Sequence, residues 1–419
     1  MWQPKANQLG RPFILGINYW PRKKAMYWWS DFDIGEVESE FDIIKETGFK
    51  LVRIFLLWED WQPTPGSVSE SALRVLEQVC RATADRDLLL DVTFFTGHMS
   101  GPNWAPGWML RRELPLPPRV NQVVSGGVAY NCGYANPFTD PVSLRAEELL
   151  LQVVVSSFKD HPAIGLWNLG NEPDLFAWPP DALAGREWVR RMFGIIHAID
   201  PVHPVTCGLH SLNLFEDNGL RVNDVFSELD VAVMHGYPMY TEWARDPLDA
   251  DFVPFLCALT TALCGKATLM EEFGGPTNYP AEPSTYWNWT GYGKSRRQFM
   301  ASEFALADYF DKVLPKLLHV GALGAVLWCF ADYDAALYGR PPCDEMQHER
   351  FFGIVRPDGS LKPHAEVIRR FANTHPLVQP AINELVLDLS PQEYYQAPQA
   401  HARRLYDVYL NSLEGAPIG

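Results

Sequence analysis

Trp167-Asn168-Leu169-Gly170-Asn171-Glu172-Pro173 sets an Asn-Glu pair directly after a short apolar run, Ile164 to Trp167. A carboxylate at the end of a buried strand faces a cleft rather than the core. A hundred residues later a second apolar run, Ala267 to Met270, leads into Glu271-Glu272-Phe273-Gly274-Gly275, again a carboxyl group followed by chain-turning glycines. Two glutamates presented in this way point to paired acid chemistry.

Working outward, short β-branched or apolar runs recur at Phe13 to Asn18, Leu51 to Leu57, Leu88 to Phe95, Ile164 to Trp167, Pro204 to Cys207, Val231 to Met234, Ala267 to Met270 and Gly324 to Trp328. Helix-period segments separate them: Glu36 to Thr47, Ser69 to Asp85, Pro141 to Lys159, Asp181 to Ile199, Asp251 to Leu263 and Ser302 to His319. The link from Asn218 to Leu229 has the weakest helical pattern. Strands alternating with helices predict an α/β chain folded as a (β/α)8 TIM barrel, with reactive groups on loops at the C-terminal face. A doubly wound sheet is the alternative, but no glycine-rich phosphate loop follows the first strand. The barrel is assigned to residues 1–375. Residues 376–419 form a C-terminal extension, expected to pack on the barrel through one helix, Ala400 to Leu413.

Composition narrows the partners. The chain has 419 residues, 47% hydrophobic and 21% charged, which suits a large globular core and excludes disorder. Its formal net charge of −16 repels nucleic acid and anionic membrane surfaces, so a neutral or cationic small ligand is the easier partner. Met1-Trp2-Gln3-Pro4-Lys5 lacks the apolar core of a secretion signal, and no run of about 18 apolar residues occurs. Seven cysteines without a CxxC pair read as reduced thiols. A soluble cytoplasmic protein is the expectation.

The loops after strands are unequal. Trp20 to Gly35, Thr96 to Asp140, Phe273 to Met300 and Cys329 to Lys362 are long, and long loops on one face build a pocket. They and their neighbours carry Trp20, Tyr27, Trp28, Trp29, Trp58, Trp61, Trp104, Trp108, Tyr237, Tyr240, Trp243, Tyr286, Trp287, Trp289, Trp328 and Tyr338. Sugars stack their C–H faces on such rings, although long loops also need a small core of their own. Arg53, inside Leu51-Val52-Arg53-Ile54-Phe55, requires a carboxylate partner because an unpaired buried guanidinium is costly. His98 and His235 each fall just past a strand, and Trp328 ends the last one.

In this order, Val52-Arg53, His98, Asn171-Glu172-Pro173, His235-x-Tyr237, Glu272-Phe273-Gly274 and Trp328, the motifs resemble those of a retaining glycoside hydrolase of clan A, most similar to family 5. The resemblance spans about residues 13 to 372. It implies Glu172 as acid/base, Glu272 as nucleophile, Asn171 as donor to the sugar 2-hydroxyl and Tyr237 as orienter of the nucleophile. Arg53, His98 and His235 would hold the polar network and the sugar, and Trp328 would form the floor. A retaining pair stands about 5 to 5.5 Å apart, one carboxylate ionised and one protonated. Donors from Arg53 and Tyr237 are expected to keep Glu272 anionic, while repulsion and burial raise the pKa of Glu172. Glu271 is the rival nucleophile. Side chains alternate along a strand, so only one of the two glutamates is expected to point inward.

Leu57 to Gly66 and Leu327 to Tyr333 resemble segments of clan members that trim single sugars, which leans towards exo action on short β-linked oligosaccharides, β-mannosides first. An endo-β-mannanase or cellulase is the runner-up, and an exo-β-glucosidase or β-galactosidase a further alternative. Arg22, Lys23, Lys24, Asp332 and Asp334 could clamp sugar hydroxyls or stand as solvated charge. No metal or cofactor is expected: the first strand, Gly16-Ile17-Asn18-Tyr19, lacks the histidine pair of a metal-dependent barrel hydrolase. A catalytically dead carbohydrate-binding barrel would have lost a catalytic glutamate, and both are present.

Overall fold

A computed structural model describes residues 9–382 and 384–414. Met1 to Lys5, read above for a secretion signal, and the last five residues of the extension lie outside the described residues. Eight parallel strands form the barrel: β1 (Ile14–Asn18), β2 (Leu51–Leu57), β3 (Leu89–Thr96), β4 (Ile164–Asn171), β5 (Val205–Gly208), β6 (Ala232–His235), β7 (Thr268–Gly274) and β8 (Gly324–Trp328). The ladder runs β5-β4-β3-β2-β1-β8-β7-β6. The remaining seam, β5 to β6, is drawn together above the strands, where His235 N donates to Leu209 O at 2.9 Å and His210 forms a parallel bridge with His235. This is the (β/α)8 barrel the strand periodicity predicts.

Helices α1 (Ile34–Thr47), α2 (Glu70–Ala84), α3 (Pro141–Phe158), α4 (Ala182–Ile199), α5 (Val222–Glu228), α6 (Phe252–Cys264), α7 (Glu303–His319) and α8 (Pro363–Asn373) follow the strands in turn. Their starts are written into the sequence: the side chains of Asp33, Ser69, Asp140, Asp181 and Ser302 each accept from a backbone N–H of the first turn. The weakest helical pattern gives the short α5. The strands are buried on both faces, as a barrel requires.

Two strands extend further than their apolar runs. β4 continues to Asn171 and β7 to Gly274, so Glu172 follows the last residue of its strand while Glu272 stands inside its own. The pairings of β7 shift register between Met270 and Phe273 on the β8 side, and β6 shifts between Met234 and His235. Such irregularities at barrel rims re-aim side chains.

Residues after 376 run back along the barrel to a last helix, α9 (Pro398–Glu414). Tyr394 OH donates to Leu214 O at 2.7 Å, Tyr395 OH to Asn213 O at 2.8 Å, and Tyr406 OH to Asp249 Oδ2 at 2.6 Å. The extension thus clasps the loops after β5 and β6. Among the described residues, no helix is long and apolar enough to cross a membrane.

Gly324 begins β8 where a Cβ would stand 2.3 Å from Ile14 O and 2.8 Å from Ile14 Cβ. Gly324→Ala is expected to lower unfolding free energy by about 1–3 kcal/mol through forced separation of β1 and β8. An unchanged urea midpoint would show that the seam yields freely.

Candidate active site

The site is built around Arg53, fully buried in β2. Its Nη1 donates to Glu272 Oε2 at 3.1 Å and to Asn18 Oδ1 at 3.2 Å, its Nη2 to Asn171 Oδ1 at 3.0 Å, and its Nε to Thr93 Oγ1 at 3.0 Å. Glu271 Oε2 lies 3.4 Å from Nη2, and Asp91 Oδ2 3.9 Å from Nε. The carboxylate partner demanded by burial is therefore several carboxyl groups. Burial first, then Glu271, push the Asp91 carboxyl well above its usual range, which eases the crowding of carboxyl groups around one cation.

Glu271 and Glu272 correct the alternation argument. Both point inward, because the register shift in β7 turns consecutive side chains towards Arg53. They differ in level. Glu271 is fully buried, accepting from Asn168 Nδ2 at 3.1 Å and lying 3.0 Å from His235 Nε2. Glu272 reaches the cleft and accepts from Tyr237 OH at 2.6 Å.

Across the cleft Glu172 has φ +46°, ψ +56°, a left-handed conformation that costs a non-glycine residue roughly 1–3 kcal/mol. Its Oε1 lies 3.0 Å from His235 Nδ1 and 3.9 Å from His210 Nδ1. His235 Nδ1 is also 3.6 Å from Glu272 Oε2, and ligating atoms of Glu172, His235 and Glu272 all fall within 4.8 Å of one another. That spacing could surround a cation, but Arg53 and Tyr237 already donate to Glu272 and both nitrogens of His235 face carboxylates. Positive charge is supplied by the protein itself.

All eight residues singled out from the sequence converge here. Asn171 Nδ2 donates to His98 O at 3.1 Å; His98 Nδ1 lies 2.7 Å from Asn103 Oδ1; Trp328, 5% exposed, lines the cavity, and the peptide bond after it is cis. The cavity encloses about 740 Å³.

Other expectations fail. Trp20, Trp28, Trp29, Trp58, Trp61 and Trp104 are at most 5% exposed and form the core of the long loops, because loops of that length must bury apolar surface of their own. Of the aromatics named from the sequence, those facing the cavity are Tyr237, Tyr240, Trp243, Trp289 and Trp328, joined there by Phe215 and Phe352. Asp332 is buried against Lys362 Nζ at 2.7 Å, Lys24 pairs with Asp31 and Glu36, and Asp334 caps a turn, so these are structural charges. The expected directions of the two carboxyl pKa shifts are reversed in the free site. Burial opposes ionisation of Glu172, yet His210, His235 and His98 outweigh it and pull its pKa below the ordinary carboxylate range. Glu272 is raised, by burial first and then by Glu172, against His235, Arg53 and Tyr237.

Two residues escaped the sequence reading. His210 lies two residues past the fifth strand, as His98 lies two past the third, and that was the available signal. Asp174 follows the Asn-Glu-Pro motif directly. His210 Nε2 is 2.9 Å from Asp174 Oδ2, which also accepts from Asn218 Nδ2 at 2.9 Å.

Comparison with known proteins follows this geometry. The family model of "Glycosyl hydrolases family 2, TIM barrel domain" matches residues 120–256. A probable mannan endo-1,4-beta-mannosidase F of Aspergillus flavus is 24% identical over 275 residues, 60% of this chain and 56% of that protein. The chain is similar to clan A glycoside hydrolases of the family 5, β-mannosidase and mannanase type. It spans a little over half the length of the curated relatives it matches. Exo-beta-1,4-mannosidase Op5Man5 from an Opitutaceae bacterium superposes with TM-score 0.68 at 25% identity, covering 87% of this chain and 60% of that one. GH5_18 from Streptomyces cattleya, in complex with GlcNAc, gives TM-score 0.77 at 19% identity over 96% of this chain and 90% of its own, a likeness of fold.

Burial lowers the His210 pKa, but Asp174 and Glu172 prevail and lift it to about 9, above its unfolded value near 6.5. Its contribution to stability is therefore complete below about pH 6.5 and lost as pH rises through about 9. Wild-type protein is expected to lose its stability advantage over His210→Gln across that window, measured by urea unfolding at each pH. A constant difference from pH 6 to 10 would contradict the charged histidine.

Proposed function

We propose that this chain is a retaining β-glycoside hydrolase that removes single sugars from short β-linked oligosaccharides, β-mannosides foremost, with Glu172 as acid/base and Glu272 as nucleophile. The observation that carries the reading is the facing pair itself: two cleft carboxylates with oxygens within 4.8 Å, close to a retaining separation, each held by its own donors. Arg53 and Tyr237 fix Glu272 for attack on the anomeric carbon. Carboxylates this close titrate as a pair, and the reaction needs one proton on that pair. For the first step that proton must lie on Glu172, and His235 Nδ1, 3.0 Å from one carboxylate and 3.6 Å from the other, is placed to pass it across. Once Glu272 is esterified its negative charge is gone, and ionised Glu172 takes a proton from the attacking water. Asn171 Nδ2 carries a second N–H for a sugar hydroxyl beyond the one given to His98.

Exo action is supported by how the long loops join. The hairpin Thr285–Gly291/Lys294–Met300 after β7 ties to the β3 loop through Arg296 Nη2 to Asn121 Oδ1 at 3.1 Å, and to the β8 loop through Trp289 Nε1 to Glu345 O at 2.7 Å. Three loops laced in this way wall the cleft. The β-mannoside preference draws on Op5Man5 and on a GH5_18 variant whose structure holds Manb1-4GlcNAc. The curated relatives named mannan endo-1,4-beta-mannosidase favour a second reading, endo action on mannan.

Initial rates on para-nitrophenyl β-mannoside, glucoside, galactoside and glucuronide, beside soluble mannan and cellulose, decide between them. The mannoside is expected to dominate with monosaccharide release; inert monosides with mixed oligosaccharides from mannan would replace exo by endo. Glu272→Ala is expected to abolish turnover, with azide restoring part of it as the inverted product. Rescue at Glu271→Ala instead would move the nucleophile. Glu172→Ala is expected to cost about 10²–10⁴-fold on substrates with poor leaving groups and far less on aryl glycosides. Equal losses on both would remove its acid role.

A further inference from the structure

The cleft carries more positive charge beside Glu172 than the acid step alone requires. His210 is 7% exposed and sits on the seam between β5 and β6, bridged to His235 and held from three sides. Its backbone N donates to Asn213 Oδ1 at 2.9 Å, its Nε2 meets Asp174 Oδ2 at 2.9 Å, and Asp174 is itself fixed by Asn218. Asn213 in turn donates to Leu220 O and accepts, through its carbonyl, the hydroxyl of Tyr395 from the C-terminal extension. The Asp174 contact at Nε2 orients the imidazole, and that orientation turns Nδ1 towards Glu172 Oε1 at 3.9 Å. A buried carboxylate, Asp174, that touches no part of the reaction centre and holds a histidine's far nitrogen is the arrangement that favours a doubly protonated ring.

On the reading above, we propose that His210, held by Asp174, is a positioning residue that keeps Glu172 ionised through the second half-reaction, when this carboxylate must act as a base. In that step a water oxygen bonds to the anomeric carbon, the bond from that carbon to Glu272 Oε breaks and returns its electron pair to the carboxylate, and the water proton passes to Glu172. The groups facing His210 are Glu172 and Asp174 after β4, His98 after β3, His235 on β6 and Glu272 on β7. In the glycosyl-enzyme Glu272 is esterified and uncharged, so Glu172 and Asp174 are the anions that favour a charged His210, and His235 opposes it. His235 can donate to Glu172 as well, but its Nε2 is shared with Glu271, so it serves the proton exchange between the carboxylates. His210 has no such second task in the cleft. A cation 3.9 Å from an oxygen, beyond hydrogen-bond reach, stabilises the anion without taking part in transfer.

The test is the partition of the two half-reactions in His210→Gln on para-nitrophenyl β-mannoside, or whichever aryl glycoside the wild type hydrolyses. Deglycosylation should slow while glycosylation persists, giving a burst of nitrophenolate, kcat and KM both down by roughly tenfold, and kcat/KM within about twofold. Azide, which needs no base, should restore the turnover number. Asp174→Asn, which leaves the imidazole in place without its anionic partner, should move in the same direction by a smaller factor, and it carries the test if the first variant does not fold. A fall in kcat/KM equal to that in kcat, with no burst and no azide effect, overturns the proposal for His210 and leaves the hydrolase reading intact. A wild type inert on every glycoside and polysaccharide tried would overturn that reading instead.

Discussion

A single guanidinium organises this molecule. Arg53 lies at the centre of the barrel with no exposure to water, and leaving it uncompensated would cost more than the margin by which a domain of this size is stable. Its donors are answered by Asn18 on β1, Thr93 on β3, Asn171 on β4 and Glu272 on β7, with Asp91 and Glu271 close by. Five of the eight strands, its own included, are thereby fixed in rotation about the barrel axis. The same bonds that neutralise Arg53 also set the orientation of Asn171 and Glu272, so the requirement for stability and the geometry of the cleft are one requirement.

Much of this was legible in the sequence because the barrel repeats one simple rule. Apolar runs of strand length alternating with amphipathic helices, each opened by Asp or Ser, give the element order with only small errors at the ends. Glu172 and Glu272 could be placed at the cleft because a carboxylate after a buried run has few structural uses. The errors have a common source: they concern features that depend on a neighbouring strand. Alternation failed at Glu271 and Glu272 because the register shift in β7 is set by its pairing with β8, which no local pattern reports. The direction of the Glu172 shift was missed because His210 comes from another loop, held there by Asp174, and acts on Glu172 only once folded. The tryptophans of the first three loops read as cleft residues and turned out to be core, since composition does not say which side of a ring faces inward.

The histidines divide their work by environment. His98, half-buried with Nδ1 2.7 Å from the Asn103 amide oxygen, has its pKa lowered by desolvation despite Glu172 nearby, which suits a neutral ring with one nitrogen able to accept. His235, facing carboxylates through both nitrogens, is raised, although burial opposes this. His210 is raised further by Asp174. Three imidazoles within one cleft thus have their pKa values moved in opposite directions, one down and two up, without any sequence signature distinguishing them.

The ladder joins β1 to β8, so Ile14 pairs with Gly324 and Asn18 reaches Leu327 O, partners 309 or more positions apart in the chain. Asn18 is also one of the groups that hold Arg53. On a ribosome the barrel therefore waits open until its eighth strand has emerged, and during that interval the arginine and its acids lack their full set of partners. The polar core that makes the finished cleft rigid is, for the growing chain, an incentive to stay unfinished until the ring can close.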